Sequence, residues 1–206
     1  MSLTQESGTS EKFARAYLNA NINFSSEYKL NPILEKNNLS LIPQASVGVG
    51  SQMMILKNWF GIHAIVDVNL NSSSNEKLKS AQQHYAARIG PAFKVALKNR
   101  STLLFLPYYA YSIIETGIYY DQNVSLSEQV FEDKIGNVIS LNRYSHALGF
   151  RLSWETFIWE KEVLFSAGYS YDLLPSPYEG IGINESSSFP SEQLQYFQLS
   201  IGVKAF

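Results

Sequence analysis

The side chains that could do chemistry are few, and four of them gather in two neighbouring segments. His63 and Asp67 lie four residues apart in one segment, and His84 and Arg88 lie four residues apart in the next. A histidine oriented by a carboxylate can act as a general base, but a hydrolase also needs a nucleophile held against that base. The spacing places no serine beside His63, so these four residues alone do not predict catalysis.

A second candidate pair, Ser145 and His146, is adjacent in the chain. Neighbouring residues of a strand point to opposite faces, so within a strand this pair cannot form a nucleophile–base contact. A metal site is also weakly supported, because two histidines and one aspartate lack a third ligand at a fixed spacing. The chain has no cysteine. We therefore expect no catalytic residues, no metal and no cofactor.

The composition favours a protein with one face in lipid and one face in water. Charged residues make up 17% of the chain, against roughly 25% in typical soluble domains. Aromatic residues make up 14%, with 13 Tyr and 12 Phe. The net charge of −2 gives no reason to expect nucleic-acid binding. No apolar run is long enough to predict a transmembrane helix.

Hydrophobic alternation with a period of two recurs in eight segments, which predicts an all-β fold. In the first segment, alternate residues from Ala14 to Phe24 are apolar, and Arg15, Tyr17 and three asparagines lie between them. A tilted strand needs about 9–11 residues to cross a bilayer, which matches this segment. The other predicted strands are 39–55, 60–70, 84–97, 102–114, 144–155, 163–172 and 196–205.

The segment 102–114 is apolar on both faces, so its phase is harder to assign. For this strand we expect an outward face of Leu103, Phe105, Tyr109, Tyr111 and Ile113. In the segment 39–55 we expect Leu39 to begin the strand.

The links between strands alternate in length. Long links are predicted at 25–38, 71–83, 115–143 and 173–193, and short ones at 57–58, 98–101 and 156–161. Short turns at one end and long loops at the other are typical of outer-membrane barrels, and an even strand count brings both termini to the short-turn side. We expect a barrel domain at 12–206 after a flexible N-terminal segment, 1–11, and infer that an export signal peptide has been removed.

Aromatic residues are expected near both ends of the strands, as in the aromatic girdles of membrane barrels. Three prolines, Pro43, Pro91 and Pro107, fall inside predicted strands, although a closed barrel has no free edge for them. We expect a bulge at Pro91 because it follows Gly90. Pro43 is expected near the long-loop end of its strand, and Pro107 has no explanation in the sequence.

These features resemble the OmpA/OmpX-type eight-stranded outer membrane protein β-barrel group. The resemblance spans residues 12–206 and is carried by the alternating strand FARAYLNANINF, by RIGPAF and by the ending YFQLSIGVKAF with Phe206. It implies an antiparallel up-and-down transmembrane β-barrel located in the bacterial outer membrane. The terminal Phe206 is one residue out of phase with the apolar positions before it, whereas the family's assembly signal usually keeps them in phase. The members of this group differ widely in function.

The interior of such a barrel is just wide enough for side chains to fill. Buried charges must then pair, because an unpaired buried charge is costly. We therefore expect a connected polar network that plugs the barrel. Its predicted members are Arg15, His63, Asp67, His84, Arg88, Arg151 and Glu155.

The leading hypothesis is a non-enzymatic outer-membrane barrel that acts structurally or through its outer loops. Its expected partners are outer-membrane lipids and other outer-membrane proteins, which it would contact as a subunit of a larger complex. Two alternatives stay open at this point. One is a soluble lipocalin-like ligand-binding barrel, which would need its apolar faces turned inward. The other is a lipid A-modifying outer-membrane enzyme.

Overall fold

A computed structural model of the chain describes residues 12–75, 78–97, 101–120, 138–181 and 190–205. The predicted flexible segment 1–11 and the terminal Phe206 lie outside the described residues. The strands are β1 (Lys12–Ser25), β2 (Ala45–Lys57), β3 (Phe60–Asn75), β4 (Leu78–Ala96), β5 (Thr102–Tyr119), β6 (Val138–Ile158), β7 (Lys161–Asp172), β8 (Glu179–Ile181) and β9 (Gln195–Lys204). One helix, α1, spans Asn31–Lys36. Within the described ranges, no helix has the length and hydropathy to cross a membrane.

Antiparallel pairing joins the strands in the order β5-β4-β3-β2-β1-β9-β7-β6, and β5 pairs with β6 to close the ring. Each strand of this ring neighbours the strands before and after it in the chain, with β8 standing outside the ring. The predicted eight-stranded antiparallel up-and-down barrel is therefore confirmed. The short β8 pairs with β6 through Ser140, Leu141 and Asn142, above the point where β7 ends.

The apolar faces of the strands lie on the outside of the barrel. Leu18 and Val49, for example, are 65% and 66% exposed, whereas the alternate residues Asn21 and Asp67 are buried. On β5, Leu103, Phe105, Tyr109 and Tyr111 are exposed and Ile113 is partly exposed, so the predicted phase of that strand is confirmed.

Several predicted boundaries are wrong at the end of the barrel that carries the long links, called the loop end below. β2 begins at Ala45, because Leu39 and Ile42 turn away to pack in a separate cluster and Pro43 has no N–H for a ladder. β3 and β4 continue to the pair Asn75–Leu78, so most of the predicted link 71–83 is strand. The alternation there involves mainly Ser, Asn, Gln and Ala, and gives a weak hydrophobic signal.

The predicted bulge at Pro91 is also wrong. Between β4 and β5 the paired residues are Ile89 with Tyr109 and then Phe93 with Phe105. Three residues on β4 therefore face three residues on β5, and no extra residue is inserted.

The barrel wall is higher on the side of β3–β6 than on the side of β1, β2, β7 and β9. Residues 26–44, 173–178 and 190–194, called the cap below, fill the space beside this raised wall. The cap and the wall share a buried apolar cluster of Tyr28, Leu30, Leu34, Leu39, Ile42, Ile118, Ile139, Leu141, Tyr178 and Leu194. Burying one Leu or Ile side chain contributes about 1.5–3 kcal/mol, so this cluster holds the cap on the barrel.

Candidate functional site

All seven residues predicted for the interior network lie on the inward faces of the strands. His63, Asp67, Arg88, Arg151 and Glu155 are buried, and Arg15 and His84 are nearly so. The structure does not join them into one network. It distributes them over separate levels of the lumen, each built with residues that were not in the predicted set.

The lowest level lies at the end of the short turns, called the turn end below. Arg15 forms an ion pair with Glu155 and lies 3.6 Å from Glu162, whose other oxygen is 3.0 Å from Lys204 Nζ. Tyr17 Oη lies 2.5 Å from Glu155 Oε2 and also contacts Glu162. Its single hydrogen can be donated to only one carboxylate at a time. Two cations and two carboxylates thus pair within this cluster.

Above this cluster the lumen is apolar. Seven inward side chains pack together here with almost no exposed surface: Tyr17, Met54, Leu56, Ala92, Leu104, Leu106 and Leu164. This apolar layer explains why β5 is apolar on both faces, since Leu104 and Leu106 point inward. It separates the Arg15–Glu155 pair from the charges above, so the expected connected network is interrupted here.

The central level is built around Asp67, which is 1% exposed. Arg88 forms an ion pair with Asp67 and lies 5.5 Å from the ring centroid of Tyr108. Asn21 Nδ2 donates to Asp67 Oδ1 at 3.1 Å, and Gln198 Nε2 donates to Oδ2 at 3.5 Å. The carboxylate therefore receives several donors in a water-poor interior, as a buried charge requires.

Arg151 is the second cation at this level, and it is 1% exposed. It donates to Gln52 Oε1 at 3.2 Å and to Gln198 Oε1, and no described ion pair involves it. Gln198 links Arg151 to Asp67, since it accepts from one and donates to the other. Two arginines thus share one carboxylate, one directly and one through an amide.

His63 is held by the barrel wall. Its Nε2 lies 3.1 Å from the carbonyl oxygen of Pro107, two strands away. Gly90 lies on the intervening strand β4 and pairs with His63. It has no side chain to block the contact between His63 and the Pro107 carbonyl. A Cβ at Gly90 would lie 2.0 Å from the same oxygen. His63 is therefore a structural donor and has no carboxylate partner among the described residues.

The upper level contains a buried pair that was absent from the predicted set. Arg143 Nη1 lies 2.8 Å from Asp172 Oδ2 and 2.9 Å from Ser176 Oγ, and Nη2 lies 2.6 Å from Tyr196 Oη. Arg143 was assigned to a long loop, although it shares the alternation phase of Arg151 and Glu155 on β6. That shared phase is the signal that could have identified it.

His84 lies near this upper level, with its ring 5.4 Å from the ring of Tyr196. An enclosed cavity of about 10 Å³ lies between Asn23, His84, Arg88, Asp172 and other inward residues. That volume is about the space of one water molecule. This cavity therefore has room for a water molecule and not for a larger ligand.

The cap is closed by one buried carboxylate. Glu192 accepts hydrogen bonds at 3.0 Å from the backbone N–H groups of Lys29 and Leu30, and at 3.3 Å from Tyr178 Oη. Burial, and next the nearby Glu192 carboxylate, raise the pKa of Tyr178 well above the ordinary tyrosine value. Burial likewise raises the pKa of Tyr28, which donates to Gln82 Oε1 at 2.9 Å. Both phenols therefore remain donors at neutral pH.

The described residues give no sign of a reactive centre. They contain no group of three or more His, Cys, Asp or Glu side chains that could hold a metal ion. Ser145 is buried in the lumen and His146 is exposed on the outer surface, as expected for neighbours on a strand.

A scan against protein-family models found no match, and a search of curated proteins also found none. Solved structures with a similar fold include Ail, the attachment invasion locus protein of Yersinia pestis, at 11% identity, 93% coverage of this chain, 97% of that chain and a TM-score of 0.49. The same protein in complex with the heparin analogue sucrose octasulfate has equal identity and coverage and a TM-score of 0.48. Neisserial surface protein A (NspA) has 14% identity, the same coverages and a TM-score of 0.38.

Proposed function

We propose that the chain is a non-enzymatic integral barrel of the bacterial outer membrane, with a closed interior, that acts structurally or through its loop end. The observation that carries this proposal is the filling of the lumen. Five features follow one another along the barrel axis: the ion pairs at the turn end, the apolar layer, the Asp67 level, the Arg143 level and the cap. Such a barrel has no continuous path for a solute.

The outward faces support a membrane location. A band of exposed apolar side chains surrounds the barrel, while most of the polar and charged strand residues between the strand ends point inward. An apolar band of this kind is typical of the lipid-facing surface of a membrane barrel, and its exposure to water would be unfavourable. A soluble lipocalin-like barrel needs the opposite arrangement, so this alternative is disfavoured.

The interior supports a role without catalysis. Each described lumenal carboxylate has a cation or several hydrogen-bond donors, which suits a structural plug. A lipid-modifying enzyme would need a nucleophile beside a base, and none of the described histidines is hydrogen-bonded to a serine.

We further propose that the loop end contacts other outer-membrane proteins.

Recording from planar bilayers tests the closed interior. We expect no steady, large conductance from the purified, refolded barrel, with insertion verified by protection of the strands from protease. A triple variant with a truncated apolar layer serves as the positive control for leakage through the barrel. It combines Leu104→Ala, Leu106→Ala and Leu164→Ala. Steady, large conductance from the unmodified barrel would overturn the proposal.

A further inference from the structure

One ionisable side chain stands apart on the outer surface of the barrel. Among the described outward-facing strand residues, acidic and basic side chains lie at the strand ends. At the turn end these are Lys57 and Lys161, and at the loop end they include Lys79 and Glu115. Between these ends, His146 on β6 is the only histidine, lysine, arginine, aspartate or glutamate on that described surface. An ionisable residue at membrane depth is costly and points to a function.

His146 is held in place by tyrosines of the neighbouring strand. Tyr109 Oη is hydrogen-bonded to His146 Nδ1, and the ring of Tyr111 lies 5.2 Å from the imidazole. A phenol is the better donor of the two groups, so Tyr109 donates to Nδ1 and the hydrogen stays on Nε2. Within the described parts of the chain, Nε2 has no hydrogen-bond partner.

The height of His146 indicates what its Nε2 meets. His146 and Trp154 lie on the same outward face of β6, eight residues apart, with Trp154 towards the turn end. At about 3.3 Å per residue and a tilt of about 40°, this corresponds to about 20 Å along the barrel axis. The lipid-facing band of such barrels is about 25 Å tall. His146 therefore lies near the loop-end edge of the band, at the depth of lipid headgroups.

We propose that His146, positioned by Tyr109 and Tyr111, binds the phosphate of an outer-leaflet lipid headgroup. Nε2 donates a hydrogen bond to a phosphate oxygen, and the negative charge of the phosphate strengthens that bond. The lipid's acyl chains lie against the apolar strand faces towards the turn end, where Leu148 and Phe150 are exposed. This site rests on the membrane location proposed above and adds the class of lipid that the surface prefers.

Native mass spectrometry of the full barrel, released from vesicles, tests the site. The vesicles contain equal amounts of phosphorylated lipid A and the same lipid A with its phosphates removed. His146→Phe removes the imidazole, and Val49→Phe places the same ring on the apolar outer face of β2, away from His146, as a matched control. We expect the unmodified barrel and the Val49→Phe variant to retain one phosphorylated lipid. Loss of one charge-assisted hydrogen bond should reduce that retention about tenfold in His146→Phe.

Two further measurements separate the possible failures. Co-flotation with vesicles and heat-modifiable mobility show whether each variant is inserted and folded. Failure of the unmodified barrel to insert would contradict the membrane location itself. If the barrel inserts, any of three results would overturn the headgroup site alone. These are equal retention by His146→Phe, equal retention of the phosphate-free lipid, and displacement of the lipid by inorganic phosphate.

Discussion

Pro91 on β4 and Pro107 on β5 occupy facing positions in the barrel wall. The register of the two strands is the same before and after them, and pairing lapses only over three residues on each strand. Each proline stays in register with its other neighbouring strand. Pro91 pairs with Ile62 on β3, and Pro107 pairs with Phe150 on β6. Because neither proline has an N–H to donate, placing them opposite each other confines both missing donors to one gap. His63 then donates to the Pro107 carbonyl at that gap.

We expect Gly90→Ala to destabilise the barrel at this gap. The new Cβ would meet the Pro107 carbonyl oxygen at 2.0 Å and displace the His63 side chain that crosses Gly90. Overpacking of this kind costs about 1–3 kcal/mol of unfolding free energy. Urea unfolding in vesicles, followed by tryptophan fluorescence, measures the loss. Gly168→Ala, where the nearest atom is 3.2 Å away, is the control and should lose less.

The central ion pair predicts different results for its two arginines. Arg88→Met leaves the buried Asp67 carboxylate without its direct cation, and should cost about 3–5 kcal/mol. Arg151→Met removes a cation with no described ion pair, and should cost less. Adding Asp67→Leu to Arg88→Met should restore part of the loss. Unfolding free energies of the single and double variants give this comparison, and equal losses for Arg88→Met and Arg151→Met would contradict it.

Leu18→Arg should impair assembly, because Leu18 is exposed on the apolar band. An arginine near the bilayer midplane costs about 2–4 kcal/mol in a membrane barrel. Leu18→Phe keeps the surface apolar and is the matched control. Heat-modifiable mobility after refolding reports assembly, and normal refolding of Leu18→Arg would argue against a lipid-facing position.

Asn19→Arg tests the lumen at the neighbouring position. Alternation along β1 places Asn19 in the lumen, so an arginine would be tolerated there only if the lumen had room. The structure leaves little room, because Asn19 is buried between Gly50 and Gly202 and its Oδ1 occupies the space of a Cβ at Gly202. We therefore expect Asn19→Arg to refold poorly as well, and efficient refolding would show that the lumen can expand.

Glu192→Ala should loosen the cap without unfolding the barrel. The backbone N–H groups of Lys29 and Leu30 would lose their acceptor, and each buried unpaired donor costs about 1–3 kcal/mol. Hydrogen exchange at these two amides should accelerate, while exchange in β1 stays slow. Glu35→Ala, which changes an exposed carboxylate on α1, is the control. Unchanged exchange in Glu192→Ala would show that other contacts hold the cap.

The cap should also open at alkaline pH. Tyr28 and Tyr178 have raised pKa values when folded, so they ionise near the ordinary value of about 10 only after the cap opens. Their contribution to stability is therefore complete below about pH 10 and is lost as the pH rises towards the folded pKa values. Hydrogen exchange across this range should show the loss, and Tyr178→Phe should weaken its pH dependence.

The sequence by itself determined which face of each strand is apolar, and therefore the architecture. Alternation is a local property, so Leu18 and Asn19, or Leu103 and Leu104, could be placed on opposite faces from their positions in the chain. The same phase would have placed Arg143 in the lumen had β6 been extended far enough towards the loop end. Boundaries failed where polar residues continue a strand, because no change of hydrophobicity marks the end.

Only the tertiary structure decided which inward residues meet. Tyr17 and Glu155, 138 residues apart, come together because closure of the barrel and the register of β1, β9 and β7 bring β1 and β6 to the same level. Inter-strand register also places Pro91 opposite Pro107, and the apolar layer between Arg15 and Asp67. A one-residue shift in register would change these partners, since each contact depends on the stagger of several strands at once.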